Sequence, residues 1–147
     1  MANNEEYFDL TDAYSVKTPE DNVDLYARWA NTYESGFVAD EGYVYHHGVA
    51  DAFLENFISK NEPILDVGCG TGLVGESLCA NSSFQLSVEG LDLSSEMLEQ
   101  ARLKKTFTGQ PIYSDLHIGD LTTSLNLPDN AYSGVISCGT FTHGHVG

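Results

Sequence analysis

The chain has 147 residues, and 22 acidic side chains against 6 Lys plus Arg give it a net charge of −16. A domain of this size buries roughly 70% of its unfolded surface, so the apolar residues, 41% of the chain, can form a core without disulfides. The acidic excess opposes binding to phosphate backbones or anionic membranes, which attract Lys and Arg. We therefore expect a soluble, cytoplasmic protein with a small-molecule substrate, and neither nucleic acid nor a membrane as a partner.

The cysteines and the apolar segments exclude further classes of protein. Cys69, Cys79 and Cys138 lack Cys-x-x-Cys spacing, so they predict reduced thiols rather than a disulfide framework, and no metal site is expected. No apolar run approaches the roughly 20 residues of a membrane-spanning helix, and the N-terminus lacks the basic and apolar regions of a secretory signal. A homodimer is compatible with these features.

The N-terminal part of the chain divides into an arm and a helical cap. Residues 1–18 are polar and acidic without a sustained period, and we predict a flexible arm there. Thr18 and Pro19 are typical of a helix start, because threonine caps the free amides and proline suits the first turn. A second helical period runs through residues 49–57. The two predicted helices define an N-terminal cap over residues 19–60.

Residues 61–147 alternate between strand and helix patterns and form the predicted main domain. Short apolar or alternating runs predict strands at 63–67, 85–91, 112–118 and 135–138. Helical patterns between them cover residues 73–80 and, from a cap at Ser94 or Ser95, continue to Lys105. Strands joined by helices imply right-handed crossovers and a parallel sheet with helices on its faces. The predicted fold is therefore a three-layer, Rossmann-like α/β fold.

A glycine-rich turn follows the first predicted strand. The spacing Gly70-x-Gly72-x-x-Gly75 matches the fingerprint of dinucleotide-binding proteins, and Asp92 lies about 20 residues further on, where such proteins bind a ribose diol. On this spacing alone, the chain can be a nicotinamide-dependent oxidoreductase. Glycines in such a turn let the backbone approach a ligand that a Cβ atom would keep away.

Asp66 lies inside the apolar first strand, two residues before the glycine turn begins. A buried carboxylate is unfavourable unless it is paired, and it would repel a pyrophosphate. A ligand that carries an ammonium and a sulfonium would instead be attracted. S-adenosylmethionine carries both charges and no phosphate, so Asp66 favours this cofactor over a dinucleotide.

Two further acids end the second and third predicted strands, and in a parallel sheet these ends lie at one edge. Asp92 can accept hydrogen bonds from both ribose hydroxyls of a nucleoside, and Asp120, after Gly119, can accept one from the adenine amine. Apolar side chains placed to enclose the adenine ring are Leu93, Met97 and Leu121. The strand-end acids therefore predict a site for a nucleoside without phosphate.

Residues 64–72, Ile-Leu-Asp-Val-Gly-Cys-Gly-Thr-Gly, resemble the first motif of the class I, Rossmann-like S-adenosylmethionine-dependent methyltransferases. Residues 90–101 are similar to the second motif of that family. The resemblance implies a seven-stranded sheet of which this chain holds the first four strands, so the domain is expected to be incomplete. The expected cofactor contacts at the ends of the first and fourth strands are Asp66, Gly68, Cys69, Gly70, Gly72 and Cys138.

Residues 26–33, together with Leu73, Val74 and the segment 141–146, resemble more narrowly the methyltransferase-like proteins of the Williams–Beuren region. In that group an N-terminal helix covers the cofactor, which implies contacts from Trp29 and Tyr33. The sequence Cys-Gly-Thr-Phe at 138–141 differs from the Asn-Pro-Pro-Tyr type of motif. Methylation of the exocyclic amino groups of bases or of glutamine is therefore not expected.

Together these features predict an S-adenosylmethionine-dependent methyltransferase that acts on an unidentified small molecule and releases S-adenosylhomocysteine. His143, beyond the fourth strand, is the candidate general base, because an imidazole accepts protons near neutral pH. Two alternatives stay open. The chain can be a truncated, non-catalytic cofactor-binding fragment or assembly module, or it can be an NAD-dependent oxidoreductase.

Overall fold

A computed structural model describes residues 16–39, 42–58 and 61–141. Its helices are α1 (Pro19–Trp29), a short π-helix (Glu34–Val38), α2 (Tyr45–Asn56), α3 (Leu73–Asn81) and α4 (Ser95–Leu103). Its strands are β1 (Ile64–Val67), β2 (Val88–Asp92), β3 (Asp115–Ile118) and β4 (Gly134–Ser137). The alternation of strand and helix predicted for the main domain is confirmed up to β3.

The four strands form one parallel sheet in the order β3-β2-β1-β4. Ile64 of β1 lies opposite Val88 of β2 on one side and Gly134 of β4 on the other. The chain runs outward from β1 to β3 and then returns to the opposite side of β1, so the strand order reverses between β1 and β4. In open α/β sheets a ligand crevice forms at the carboxyl ends of the strands beside such a reversal. The predicted parallel, Rossmann-like sheet is confirmed.

The two faces of the sheet are covered differently. Helices α2 and α3 pack on the face of Ile64, where Ala50, Leu78 and Ile136 complete a buried cluster. On the opposite face, Leu65 and Val67 are covered by apolar side chains of the segment 121–132. Within the described residues this segment forms no helix, so the second helical layer that the fold class implies is not present there.

Helix α1 is fixed at its start by a capping box and along its length by the core. The Thr18 hydroxyl accepts the Asp21 amide, and the Asp21 carboxylate accepts the Thr18 amide, as the predicted cap requires. Trp29 packs with Met97 in a buried cluster that also contains Val16. The predicted arm therefore does not extend to residue 18, because Val16 is part of the core.

The third strand begins later than predicted. The alternation from Ile112 predicts a strand over 112–118, but β3 spans only Asp115–Ile118. Ile112 and Tyr113 are buried in the cluster under α4 instead of pairing with β2. Similarly, α4 ends at Leu103 rather than at Lys105, because the chain turns there toward an isolated bridge with Pro111.

Candidate functional site

A crevice of about 670 Å³ opens at the carboxyl ends of the strands, beneath α1 and the loop before α2. This volume is within the range of about 300–1,000 Å³ that is typical of small-molecule sites. Most of the predicted site residues line it. At the end formed by β2 and β3 they are Asp92, Leu93, Met97, Gly119, Asp120 and Leu121. In its middle and at the β4 end they are Trp29, Tyr33, Gly68, Cys69, Gly70 and Cys138.

The glycine turn after β1 bends toward β2 and forms the floor of the crevice. The Gly68 and Cys69 amides donate to the Leu91 carbonyl at 2.7 and 3.0 Å. Gly70 has a φ of +53°, a left-handed conformation that side chains disfavour. Its amide donates to Oδ2 of Asp92 at 2.8 Å. The turn and the end of β2 are therefore joined through one carboxylate.

Asp92 is the carboxylate that the fold orients most completely. Oδ1 accepts the Ser94 amide at 2.9 Å while Oδ2 accepts the Gly70 amide. Burial raises the pKa of Asp92, and these backbone hydrogen bonds oppose the rise. A carboxylate accepts about four hydrogen bonds, so each oxygen retains the capacity for one more. With Leu93 and Met97 beside it, this end of the crevice can hold a diol and a flat apolar ring.

Asp120 lies at the same end, after β3. Its Oδ1 accepts the Thr122 amide at 2.8 Å and the Thr122 hydroxyl at 2.7 Å. These hydrogen bonds hold the pKa of Asp120 below its ordinary value, so the carboxylate is charged. It can accept a hydrogen bond from a ligand donor, as expected from the sequence.

Asp66 is not placed as predicted. Its side chain is 0% exposed and does not line the crevice. The carboxyl lies on the helical face of the sheet, where the Tyr113 hydroxyl donates to Oδ2 at 2.7 Å. Oδ1 has no hydrogen-bond partner among the described residues. Burial raises the pKa of Asp66 to about 7, although the Tyr113 hydrogen bond opposes this shift and the nearby Asp92 adds to it. The expected direct contact with a ligand is therefore corrected to a buried acidic group beneath the floor of the crevice.

Tyr113 also explains two of the glycines in the turn. A Cβ atom on Gly72 would lie 2.9 Å from the Tyr113 ring, and one on Gly75 would overlap the Tyr113 hydroxyl. Gly72 does not line the crevice, so its predicted contact with the cofactor is also corrected. The last two glycines of the dinucleotide fingerprint make room for a protein side chain. Tyr113 was not predicted from the sequence, and the signal that points to it is the pair of glycines three positions apart at the start of α3.

Aromatic rings form the roof of the crevice. Trp29 stacks on Tyr26 with 5.8 Å between ring centroids and meets the edge of Tyr33 at 5.0 Å. Both Trp29 and Tyr33 line the crevice. Burial raises the pKa of Tyr33, which keeps its hydroxyl neutral.

The β4 end of the crevice contains two residues that the sequence did not indicate. The Tyr43 hydroxyl lies 3.3 Å from Sγ of Cys138, just after β4, and His46 of α2 lies parallel to the Tyr43 ring. No periodic pattern or motif points to either residue. The predicted general base, His143, lies outside the residues that the structure describes.

The described lining of the crevice includes carboxylates but no Lys or Arg. Lys104, which is not part of this lining, points its ammonium at Glu34 and Glu76, at 3.0 and 2.8 Å. A cationic nucleoside without phosphate fits this lining, whereas a pyrophosphate would meet no counter-charge. Over the described ranges no cluster of His, Cys, Asp and Glu could hold a metal ion, and no helix is long and apolar enough to cross a membrane.

Residues 64–146 match the methyltransferase domain family. The chain is 55% identical over 42 residues to the mitochondrial ubiquinone biosynthesis O-methyltransferase of Candida albicans, covering 29% of this chain and 12% of that protein. It is 35% identical over 74 residues to the 18S rRNA (guanine-N(7))-methyltransferase of Arabidopsis thaliana, covering 50% of this chain and 22% of that protein. The matched part thus spans less than a quarter of either relative.

The solved structures include a similar fold. A protein of Methanococcus maripaludis, assigned as an S-adenosylmethionine-dependent methyltransferase, superposes with a TM-score of 0.56 at 20% identity. The superposition covers 78% of this chain and 50% of that one. This likeness shows that the fold described above also occurs in that protein.

Proposed function

Because the chain belongs to the methyltransferase domain family, whose methyl donor is S-adenosylmethionine, we propose that its crevice binds this cofactor for methyl transfer to a small molecule. The observation that carries the proposal is the Asp92 carboxylate at the end of β2. Two amides orient it, and each oxygen keeps one acceptor position. The product of the transfer is S-adenosylhomocysteine.

The residues of the crevice have separate roles in this proposal. Asp92 accepts hydrogen bonds from the two ribose hydroxyls, and Asp120 accepts one from the adenine amine. Leu93 and Met97 enclose the adenine ring. The cofactor, when bound, supplies a methyl group on a positively charged sulfur, so the protein needs no covalent intermediate. What the chain adds is orientation of the acceptor and exclusion of water.

Asp66 contributes in its ionised form, which a positively charged ligand above the turn would favour by lowering its pKa of about 7. It lies beneath the glycine turn near Asp92, and together these carboxylates favour a ligand with positive charge above the turn. Trp29, at the end of α1, and Tyr33, just before the π-helix, cover the same region and exclude water from it. The narrower kinship with the methyltransferase-like proteins of the Williams–Beuren region is part of the proposal, and the position of these two rings supports it.

The acceptor is proposed to be a small molecule. The relatives include enzymes named for a quinone pathway and for rRNA, so they do not decide between small and large acceptors. The described lining favours a small molecule, because it offers no Lys or Arg to a nucleic acid backbone. The nicotinamide alternative loses its main support, since Gly72 and Gly75 accommodate Tyr113.

Calorimetric titration of the chain with S-adenosylmethionine, S-adenosylhomocysteine and NAD tests the proposal. We expect one site for each of the first two compounds and no heat of binding with NAD. The single tryptophan, Trp29, lies in the crevice and gives an independent fluorescence signal for the same titrations. Binding of NAD alone, or of none of the three, would contradict the proposed function.

A further inference from the structure

A buried imidazole forms part of the crevice wall at the β4 end. His46, the second residue of α2, is 6% exposed and lines the crevice. Its Nδ1 is shielded from solvent and has no hydrogen-bond partner in the described part of the chain. Burying a polar group without a partner is unfavourable, so such groups in native structures often have a functional reason. Nε2 also has no hydrogen bond to a described residue, and it is not shielded.

The surroundings of His46 keep the ring neutral. Burial lowers its pKa, and the neighbouring His47, with 4.1 Å between ring centroids, lowers it further. Glu76 and Glu34 act in the opposite direction, and Lys104 between them lowers the pKa again. A neutral imidazole has one nitrogen with a free lone pair, which can accept a proton.

Aromatic rings surround this end of the crevice. Tyr43 lies parallel to His46, with 5.9 Å between centroids and 12° between planes. The Tyr43 hydroxyl contacts Cys138, which places the pair of rings over the end of β4. Tyr33 lies close enough to Tyr43 and Cys138 for both to influence its pKa. Aromatic walls of this kind favour a flat ring as the bound group.

The position and the charge of the lining narrow the chemistry of that group. The β4 end lies across β1 from Asp92, so it is the end left open when a nucleoside occupies the β2 and β3 end. Without Lys or Arg among the described lining residues, a carboxylate or phosphate on the acceptor would have no counter-charge. A neutral amine already has a free lone pair, whereas a hydroxyl attached to a ring reacts far better after losing its proton.

We infer that His46 is the general base for a neutral acceptor that carries a hydroxyl on an aromatic ring. The inference rests on the proposed function. In the step, the hydroxyl proton moves to Nε2 of His46 while the oxygen forms the new bond to the methyl carbon. The bond between sulfur and that carbon breaks, and its electron pair stays on sulfur. The proton then passes from the imidazole to water, which restores the neutral ring.

The test uses 4-nitrophenol as the probe, because its absorption differs between the phenol and the phenolate. The chain is first saturated with S-adenosylhomocysteine. We expect the bound probe to absorb as the neutral phenol, with its hydroxyl donating to Nε2 of His46, and His46→Gln to weaken its binding roughly tenfold or more. The variant should bind S-adenosylhomocysteine as the natural chain does, which also shows that it is folded.

Two controls separate the role of His46 from a general effect on the crevice. His47→Gln alters the exposed neighbour, whose Nδ1 is bonded to Ser77, and should change probe binding far less than His46→Gln does. 4-Nitroanisole has the same ring without a hydrogen-bond donor, so His46→Gln should not weaken its binding. A bound probe that absorbs as phenolate, or equal affinity of both chains for 4-nitrophenol, would overturn the inference. Failure to bind S-adenosylhomocysteine at all would instead contradict the proposed function.

Discussion

Replacing Asp66 by asparagine is expected to stabilise the cofactor-free chain above neutral pH. The carboxyl is 0% exposed, and burial is the main reason that its pKa rises from 3.8 to about 7. Asparagine has nearly the same shape and no charge. It keeps an oxygen that can accept the hydrogen bond of the Tyr113 hydroxyl, which the aspartate accepts at 2.7 Å.

The magnitude follows from the shift in pKa. The folded chain holds this proton more tightly than the unfolded chain, so its stability falls as pH rises from 3.8 to about 7. One pKa unit corresponds to about 1.4 kcal/mol, so full ionisation of Asp66 costs the folded state about 4 kcal/mol. A domain is stable by only about 5–15 kcal/mol, which makes this loss easy to detect.

Urea unfolding at about pH 4.5 and about pH 8 measures the effect. The other acids titrate in both proteins, so the difference between the two stability curves isolates Asp66. We expect that difference to change by about 3 kcal/mol in favour of the asparagine variant as the pH rises. The variant should also lose more affinity for S-adenosylmethionine than for S-adenosylhomocysteine, which lacks the sulfonium. If the unfolding free energies of the two chains depended on pH in the same way, the description of Asp66 as a buried acid without a positively charged partner would be refuted.

Three further changes test other parts of the site. Asp92→Ala should weaken binding of S-adenosylhomocysteine roughly ten- to a hundredfold, because it removes charged hydrogen bonds to the ribose; unchanged affinity by calorimetry would exclude that role. Gly75→Ala should lower the free energy of unfolding by about 1–3 kcal/mol, since the new methyl overlaps the Tyr113 hydroxyl, and Tyr113→Phe should recover part of the loss in thermal denaturation. Lys104→Met removes the ammonium that joins the π-helix, at Glu34, to α3, and should weaken cofactor binding roughly two- to tenfold; the effect should shrink as NaCl is added to the titration.

Local signals account for the parts of the fold that could be predicted. The apolar run of β1 and the glycines after it mark a strand and a turn within a few residues of each other. Thr18 and Ser94 both accept backbone amides as helix caps, as their positions in the sequence indicate. Because the carboxyl ends of parallel strands share one edge, the positions of Asp92 and Asp120 followed from the strand ends alone.

The parts of the fold and the site that could not be predicted depend on contacts between residues that are far apart in the sequence. Alternation over 112–118 predicts a strand. Tyr113 instead donates a hydrogen bond to Asp66 of β1 and packs against Gly75 of α3, and both of these residues are distant from it in the sequence. The sequence places Asp66 in a strand without indicating which face its side chain occupies. Tyr43 meets Cys138 across 95 positions of the chain, and no local pattern could connect them.

A crystal structure of the chain with S-adenosylhomocysteine tests the central claim most directly. The account predicts that both ribose hydroxyls lie within hydrogen-bond distance, about 3 Å, of the Asp92 carboxylate, with the purine between Leu93 and Met97. A nucleoside bound elsewhere, or an Asp92 bonded to Gly70 and Ser94 with the ribose out of reach, would contradict it.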